Sequence, residues 1–138
     1  MPSDAPVRDD EGRIVEPNEQ TDAFALVVGD CLDDATAEGA VTTVPTVPCA
    51  EPHDSEVYAA FTLNESAYPG ERGLQGKAQV LCLPAFEEFV GEPYLDSRLD
   101  FAFYYPTEAS WAAGDREVLC VAFDPEGPVS GSLRGVTD

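Results

Sequence analysis

Four cysteines, Cys31, Cys49, Cys82 and Cys120, are spread through a chain of 138 residues with no C-x-x-C pair among them. That spacing removes thioredoxin-like redox chemistry and zinc ribbons, both of which need paired sulfurs close in sequence. An even number in a small domain suggests two disulfides, and hence an oxidising, extracytoplasmic compartment. On spacing alone all three connectivities stay open. The length suits one domain that buries roughly two-thirds of its unfolded surface, so a core forms without help from a metal.

Charge narrows the partners. The chain carries 27 Asp and Glu against 7 Lys and Arg, a net charge of −20. Phosphate backbones and anionic lipid are both repelled by such a balance, which excludes nucleic acid and a polybasic membrane patch as modes of binding. Solubility is its ordinary consequence. A calcium loop is the sharper reading, but GDCLDDATAEG, residues 29–39, lacks the alternating D-x-D-x-D-G spacing and the closing Glu. No run approaches the ~20 apolar residues of a membrane span. The opening MPSDAPVRDDEGRIVEPNEQTD reads as the interior of a linker, with a signal or membrane anchor expected upstream.

Residues 1–22 are rich in Pro and acids and poor in apolar side chains, which predicts a disordered acidic linker ahead of a single domain over 23–138. Within the domain, Phe24 to Val28 reads as a short buried strand, and Val41 to Val44 as a weaker one stopped by Pro45. EVYAAFTL alternates, with Val57, Ala59, Phe61 and Leu63 on one face. Leu74, Ala78, Leu81, Cys82, Phe86 and Phe89 recur at helical spacing, Gly91 ends the run and Pro84 kinks it. Strands are expected again at Phe101 to Tyr105 and Glu117 to Phe123. Between them, Thr107 caps a short turn, Gly114 ends it and Trp111 faces inward as a plug. Turn-rich residues 125–135 still offer Val129 and Leu133 for packing. The order predicts an α+β fold, a largely antiparallel sheet with one main Pro-kinked helix on one face.

Catalytic constellations are scarce. One histidine cannot supply HExxH or C2H2, so neither a metal site nor a cofactor is expected. Cys49 and His53 form the sole candidate nucleophile–base pair, but Pro48 and Pro52 hold them in a rigid corner, and oxidation would capture the thiol. There His53 is expected to bond Asp54, Glu56 or a backbone carbonyl. No G-x-S-x-G occurs. Adjacent acids such as Asp33-Asp34 and Glu87-Glu88 point apart on a strand or helix, which disfavours glycosidase chemistry without removing it.

Taken in order, Gly29-Asp30-Cys31, Val47-Pro48-Cys49, Pro52-His53 with Glu56-Val57, Cys82, Pro106, Trp111 with Gly114-Asp115-Arg116, Cys120 and Gly131-Ser132-Leu133 form a pattern over about residues 24–135. This pattern resembles the septum formation family of small extracytoplasmic domains in high-GC Gram-positive bacteria. The resemblance implies a role at the cell envelope in division, on a protein held by one membrane or lipid anchor, with no catalytic residue assigned. It implies that Pro48, Pro52, Trp111, Gly114 and Arg116 are structural. With it goes the pairing of Cys31 with Cys49, closing a loop between strand ends, and of Cys82 with Cys120, stapling the helix to the last strand. Loop closure alone assigns these about 3 and about 4 kcal/mol.

The implied function is a non-enzymatic interaction domain whose partners are envelope or division proteins or cell-wall material. His53, Asp54 and Glu56 are the candidate binding rim, because a proline-fixed loop presents side chains at little further entropy cost. The alternatives are an envelope hydrolase, which needs a deep cleft holding two carboxylates, and a secreted ligand-binding or inhibitor domain, which needs an apolar pocket under the Trp111 turn.

Overall fold

The structure, a computed structural model, describes residues 9–10, 14–15, 18–22, 26–33 and 43–135. Its sheet is built from β1 (Asn18–Asp22), β2 (Cys31–Leu32), β3 (Thr43–Val47), β4 (Ser55–Thr62), β5 (Asp100–Tyr104) and β6 (Glu117–Phe123). Every pairing is antiparallel, in the order β1-β3-β2-β4-β6-β5. One long helix, α1 (Glu71–Val90), packs on β4, β5 and β6, and a short one, α2 (Glu108–Ala112), joins β5 to β6. The fold is α+β as expected, with both disulfides formed in the expected pairs, Cys31–Cys49 and Cys82–Cys120.

α1 forms where the apolar stripe lies. Leu74, Ala78, Cys82, Phe86 and Phe89 are all buried on its sheet-facing side, and Gly91 closes it at φ 91°, a left-handed conformation that glycine adopts without strain. The helix runs across Pro84, which is exposed; the Val80 carbonyl that the ring cannot bond lies in a residue 73% exposed, where solvent can take its place. Tyr58 anchors the packing beneath. Its ring stacks on Phe89 at 5.2 Å and meets Phe86 edge-on at 5.9 Å, while its hydroxyl donates to the Cys82 carbonyl at 2.8 Å. Burial first, and the Asp100 charge second, push its ionisation far above the ordinary phenol range, so the proton needed for that bond stays in place.

Three strand readings are corrected. Phe24 and Ala25 lie outside the described residues, and Leu26–Val28 enter no strand; Leu26 is buried, but Val27 and Val28 stand half-exposed in a turn. β3 does not stop at Pro45 but continues to Val47. On the β1 side its register slips between Asn18 and Thr21, whose partners Thr46 and Val44 flank Pro45, so the missing N–H falls at an irregularity where no ladder bond is required. Asn18–Asp22, expected within the linker, form β1 instead, because the exposed edge of β3 offers their backbone a ladder that needs no apolar side chains.

β4 departs from simple alternation. Its register to β6 shifts between Val57, paired with Val121, and Ala59, paired with Cys120, which leaves Tyr58 as the extra residue of a bulge. Tyr58, Ala59 and Phe61 therefore all face α1, while Val57 joins Leu32, Val44, Leu119 and Val121 in a second apolar cluster. Residues 55–58 are buried on both faces, so the single face expected for Val57, Ala59, Phe61 and Leu63 is split.

The α2 turn matches its sequence. Thr107 caps it in a reciprocal box with Ser110, Gly114 follows at φ 108°, and Trp111 is buried. Arg116 locks the turn: its guanidinium lies 3.8 Å from the Trp111 ring centre and donates to the carbonyls of Trp111, Asp115 and Glu65 at 2.7, 3.0 and 3.0 Å. A lysine carries one charged nitrogen and no planar fork, so Arg116→Lys is expected to lower the unfolding free energy by about 2 kcal/mol in urea titration.

Two further outcomes follow from burial. Cys31, Cys82 and Cys120 are fully buried and Cys49 is partly exposed, so limited reductant and alkylation of the native protein should label Cys31 and Cys49 first. Peptide mapping that found all four labelled together would contradict this core. At the start of β6, burial first and the Asp115 charge second push the Glu117 carboxyl up. A raised carboxyl favours the folded state below the unfolded carboxylate range and loses that contribution as pH climbs through the folded value. Glu117→Gln should therefore melt higher than wild type at neutral pH, with the gap closing under acid.

Candidate functional site

The Cys49–His53 corner is a structural joint. Cys49 is bonded to Cys31, and the backbone of His53 exchanges two hydrogen bonds with Val129, at 2.8 and 2.9 Å. The His53 ring is fully buried, with Nδ1 2.8 Å from the Glu51 carbonyl, the backbone acceptor being the partner it uses. Nε2 has no hydrogen-bond partner among the described residues. Residues 129–133 lie across the corner as a strap: Gly131 N–H donates to Cys49 O, and Glu56 accepts from Leu133 N–H at 2.8 Å and from Ser132 Oγ at 2.9 Å.

This strap covers His53 and Glu56 of the binding rim expected at His53, Asp54 and Glu56. His53 and Glu56 are 0% and 4% exposed, and Asp54 is half-buried with its N–H bonded to Leu32 O. The C-terminal segment folds over the proline-flanked loop and takes up the His53 backbone and the Glu56 carboxylate.

What the corner builds instead is a cleft of about 560 Å³ beside the Cys31–Cys49 bond. Asp9, Asp30 and Glu56 line it, with Ser132, Pro48 and Ala50, and Ile14 and Val28 add apolar wall. Asp30 is 3% exposed and accepts from Val27 N–H at 2.9 Å, which sets its side chain in the turn that leads into β2. Both oxygens of Glu56 are held by the strap, so the negative wall is fixed before any ligand arrives. Among the described residues no cation lines the cleft. Among the described residues no three His, Cys, Asp or Glu side chains group closely enough to hold a metal ion.

Short motifs scattered over a hundred positions of sequence converge here. Gly29-Asp30-Cys31, the Pro48-Cys49 of V-P-C, Glu56 and the Ser132 of G-S-L all touch the cleft. Trp111, Gly114 and Arg116 form the separate α2 lock, and Pro52 sits in the corner outside the lining. Sequence reasoning singled out Glu56 but not Asp9, Asp30 or Ser132 as site residues; Asp30 and Ser132 stood in motifs read as family markers, and Asp9 in the stretch read as linker. Of the adjacent acids, Asp34 lies outside the described residues, and Glu87 spends one oxygen on the Tyr94 N–H at 2.9 Å. Neither this cleft nor the groove along α1 is lined by Trp111, which Tyr68 and Arg116 cover.

No curated protein and no solved structure matches the chain. The family model described as septum formation matches residues 15–132, beginning ahead of β1 and earlier than the sequence motifs suggested. With the match spanning all but the two ends of the chain, this protein belongs to the septum formation family.

Proposed function

We propose that this domain is a non-enzymatic, extracytoplasmic binding module in septum formation, carried at the cell envelope by a membrane-anchored protein. In this reading the cleft beside Cys31–Cys49 receives a cationic group, a Lys or Arg side chain or an amine, from an envelope or division protein or from cell-wall material. The observation that carries it is the convergence of four dispersed motifs on one cleft walled, among the described residues, by three carboxylates and no cation. A preformed negative wall attracts a positive group without reorganising, and the −20 net charge steers it in. Family membership supplies the role in septum formation, and the family is not known as one of enzymes. Two disulfides fit an oxidising compartment. No helix of the described residues is long and apolar enough to cross a membrane, so attachment is assigned to an anchor outside them.

A carboxylate hydrolase is the second reading, favoured by the presence of Asp30 and Glu56 in one cleft. Against it, both Glu56 oxygens and one Asp30 oxygen already accept hydrogen bonds that position wall and strap. Release of reducing ends from purified cell wall by wild type, lost in Asp30→Asn, would establish it over the binding module.

The binding module is tested by placing positive charge at the exposed lining residues, Ala50→Arg and Asp9→Lys, in the full-length protein. Septal localisation and proximity labelling of partners should fall at least tenfold, while the melting temperature and the absence of free thiols stay as in wild type. Undiminished localisation and labelling in both variants would refute a role for the cleft.

A further inference from the structure

A second concavity of about 640 Å³ opens between the first half of α1 and the end of β4. Phe61, Leu63 and Leu81 give it an apolar surface, Val80 stands beside them 73% exposed, and the helix side is opened by Gly76. Gly76 has no internal reason to be glycine. In a helix interior it is less stable than alanine by about 1 kcal/mol. A Cβ built there meets nothing within 4 Å, whereas at Gly73 it would come within 3.2 Å of Pro69 Cβ. Gly73 is explained by its neighbour; Gly76 leaves space on the outside of the molecule.

Charge points the same way. In a chain with 7 cations against 27 acids, Arg72 and Lys77 both line this groove and Glu65 is the one carboxylate with them. The cleft beside Cys31–Cys49 has the reverse composition, three carboxylates and no cation among the described residues. Glu65 Oε1 is bonded to Lys77 within the groove. On a largely acidic chain this apolar groove thus offers an acidic partner two cations.

We propose that the groove between α1 and β4 docks a segment of a partner protein that carries an apolar side chain flanked by carboxylates. The apolar side chain lies over Phe61, Leu63 and Leu81 with the partner's backbone close to Gly76, and the carboxylates meet Arg72 and Lys77. This is helix-and-groove recognition of the ordinary kind, an apolar anchor for affinity and charges for register. It does not depend on the cationic ligand assigned to the cleft, and its variants leave that cleft untouched.

The test is selection of a random twelve-residue displayed peptide library on the purified, oxidised chain, with binding of recovered peptides measured by fluorescence anisotropy. Recovered sequences should be enriched in Asp and Glu around Leu, Ile or Phe. They should bind at least tenfold more weakly to Gly76→Leu, which fills the groove while keeping or raising the melting temperature, and to Arg72→Glu, while Ala50→Arg binds them as wild type does. Failure to recover peptides, recovery of basic ones, or undiminished binding to Gly76→Leu would overturn the proposal. So would co-sedimentation with phosphatidylglycerol vesicles that is lost in Arg72→Glu, since that would make the occupant a membrane.

Discussion

The Cys82–Cys120 bond joins the middle of α1 to the centre of β6, the strand that pairs with both β4 and β5. Everything on that face of the sheet is arranged around it. The Tyr58 hydroxyl donates to the carbonyl of Cys82 itself, and Phe86, one turn along the helix, meets Tyr58, Tyr94 and Phe101. A covalent tie at this point fixes the height and rotation of the helix over the strands, and aromatic packing then fills the space with little choice of alternative arrangement. A bridge closing 38 residues also removes conformations from the unfolded chain, and for a small domain the effect is comparable with a large part of its total stability.

The other disulfide works at the opposite end of the architecture. Cys31 lies in β2 beside β4, and Cys49 follows β3, so the bond ties the two sides of the corner from which the cleft is made. The C-terminal strap completes it: His53 pairs with Val129, Cys49 with Gly131, and Glu56 with Ser132 and Leu133. Further on, Gly135 N–H reaches the carbonyl of Phe89 at 2.9 Å, so the same strap spans from the cleft to the end of α1. Helix and cleft are thus linked by one short run of backbone, and the carboxylates of the cleft inherit their rigidity from the core.

Local patterns were legible where a single face of an element met the core. The spacing of Leu74, Ala78, Cys82, Phe86 and Phe89 and the Thr107 to Gly114 turn predicted α1 and α2 closely. The disulfide pairing came with the family resemblance rather than from spacing. What escaped was settled by contacts distant in sequence. Alternation in β4 could not reveal that Tyr58 bulges and that residues 55–58 are buried from both sides. Pro45 reads as a strand breaker unless the slip opposite it in β1 is known. His53 and Glu56 look like exposed polar groups until residues 129–133, more than seventy positions later, are laid over them. The acid-lined cleft was invisible for the same reason, since Asp30 and Glu56 meet through strand pairing that no local window contains.

The position of β1 has a mechanical consequence. It is an edge strand that pairs with β3 alone among the described strands, and the next covalent cross-link along the chain is at Cys31. Tension transmitted through the segment ahead of β1 would open that ladder, then the bonds that Gly29 and Asp30 make with Val57, and only then load the sulfur bridge, which passes the force directly to Cys49 and bypasses the connection between them. Extension stops there until the corner itself yields, so the first strand acts as a sacrificial slack and the bridge as its limit.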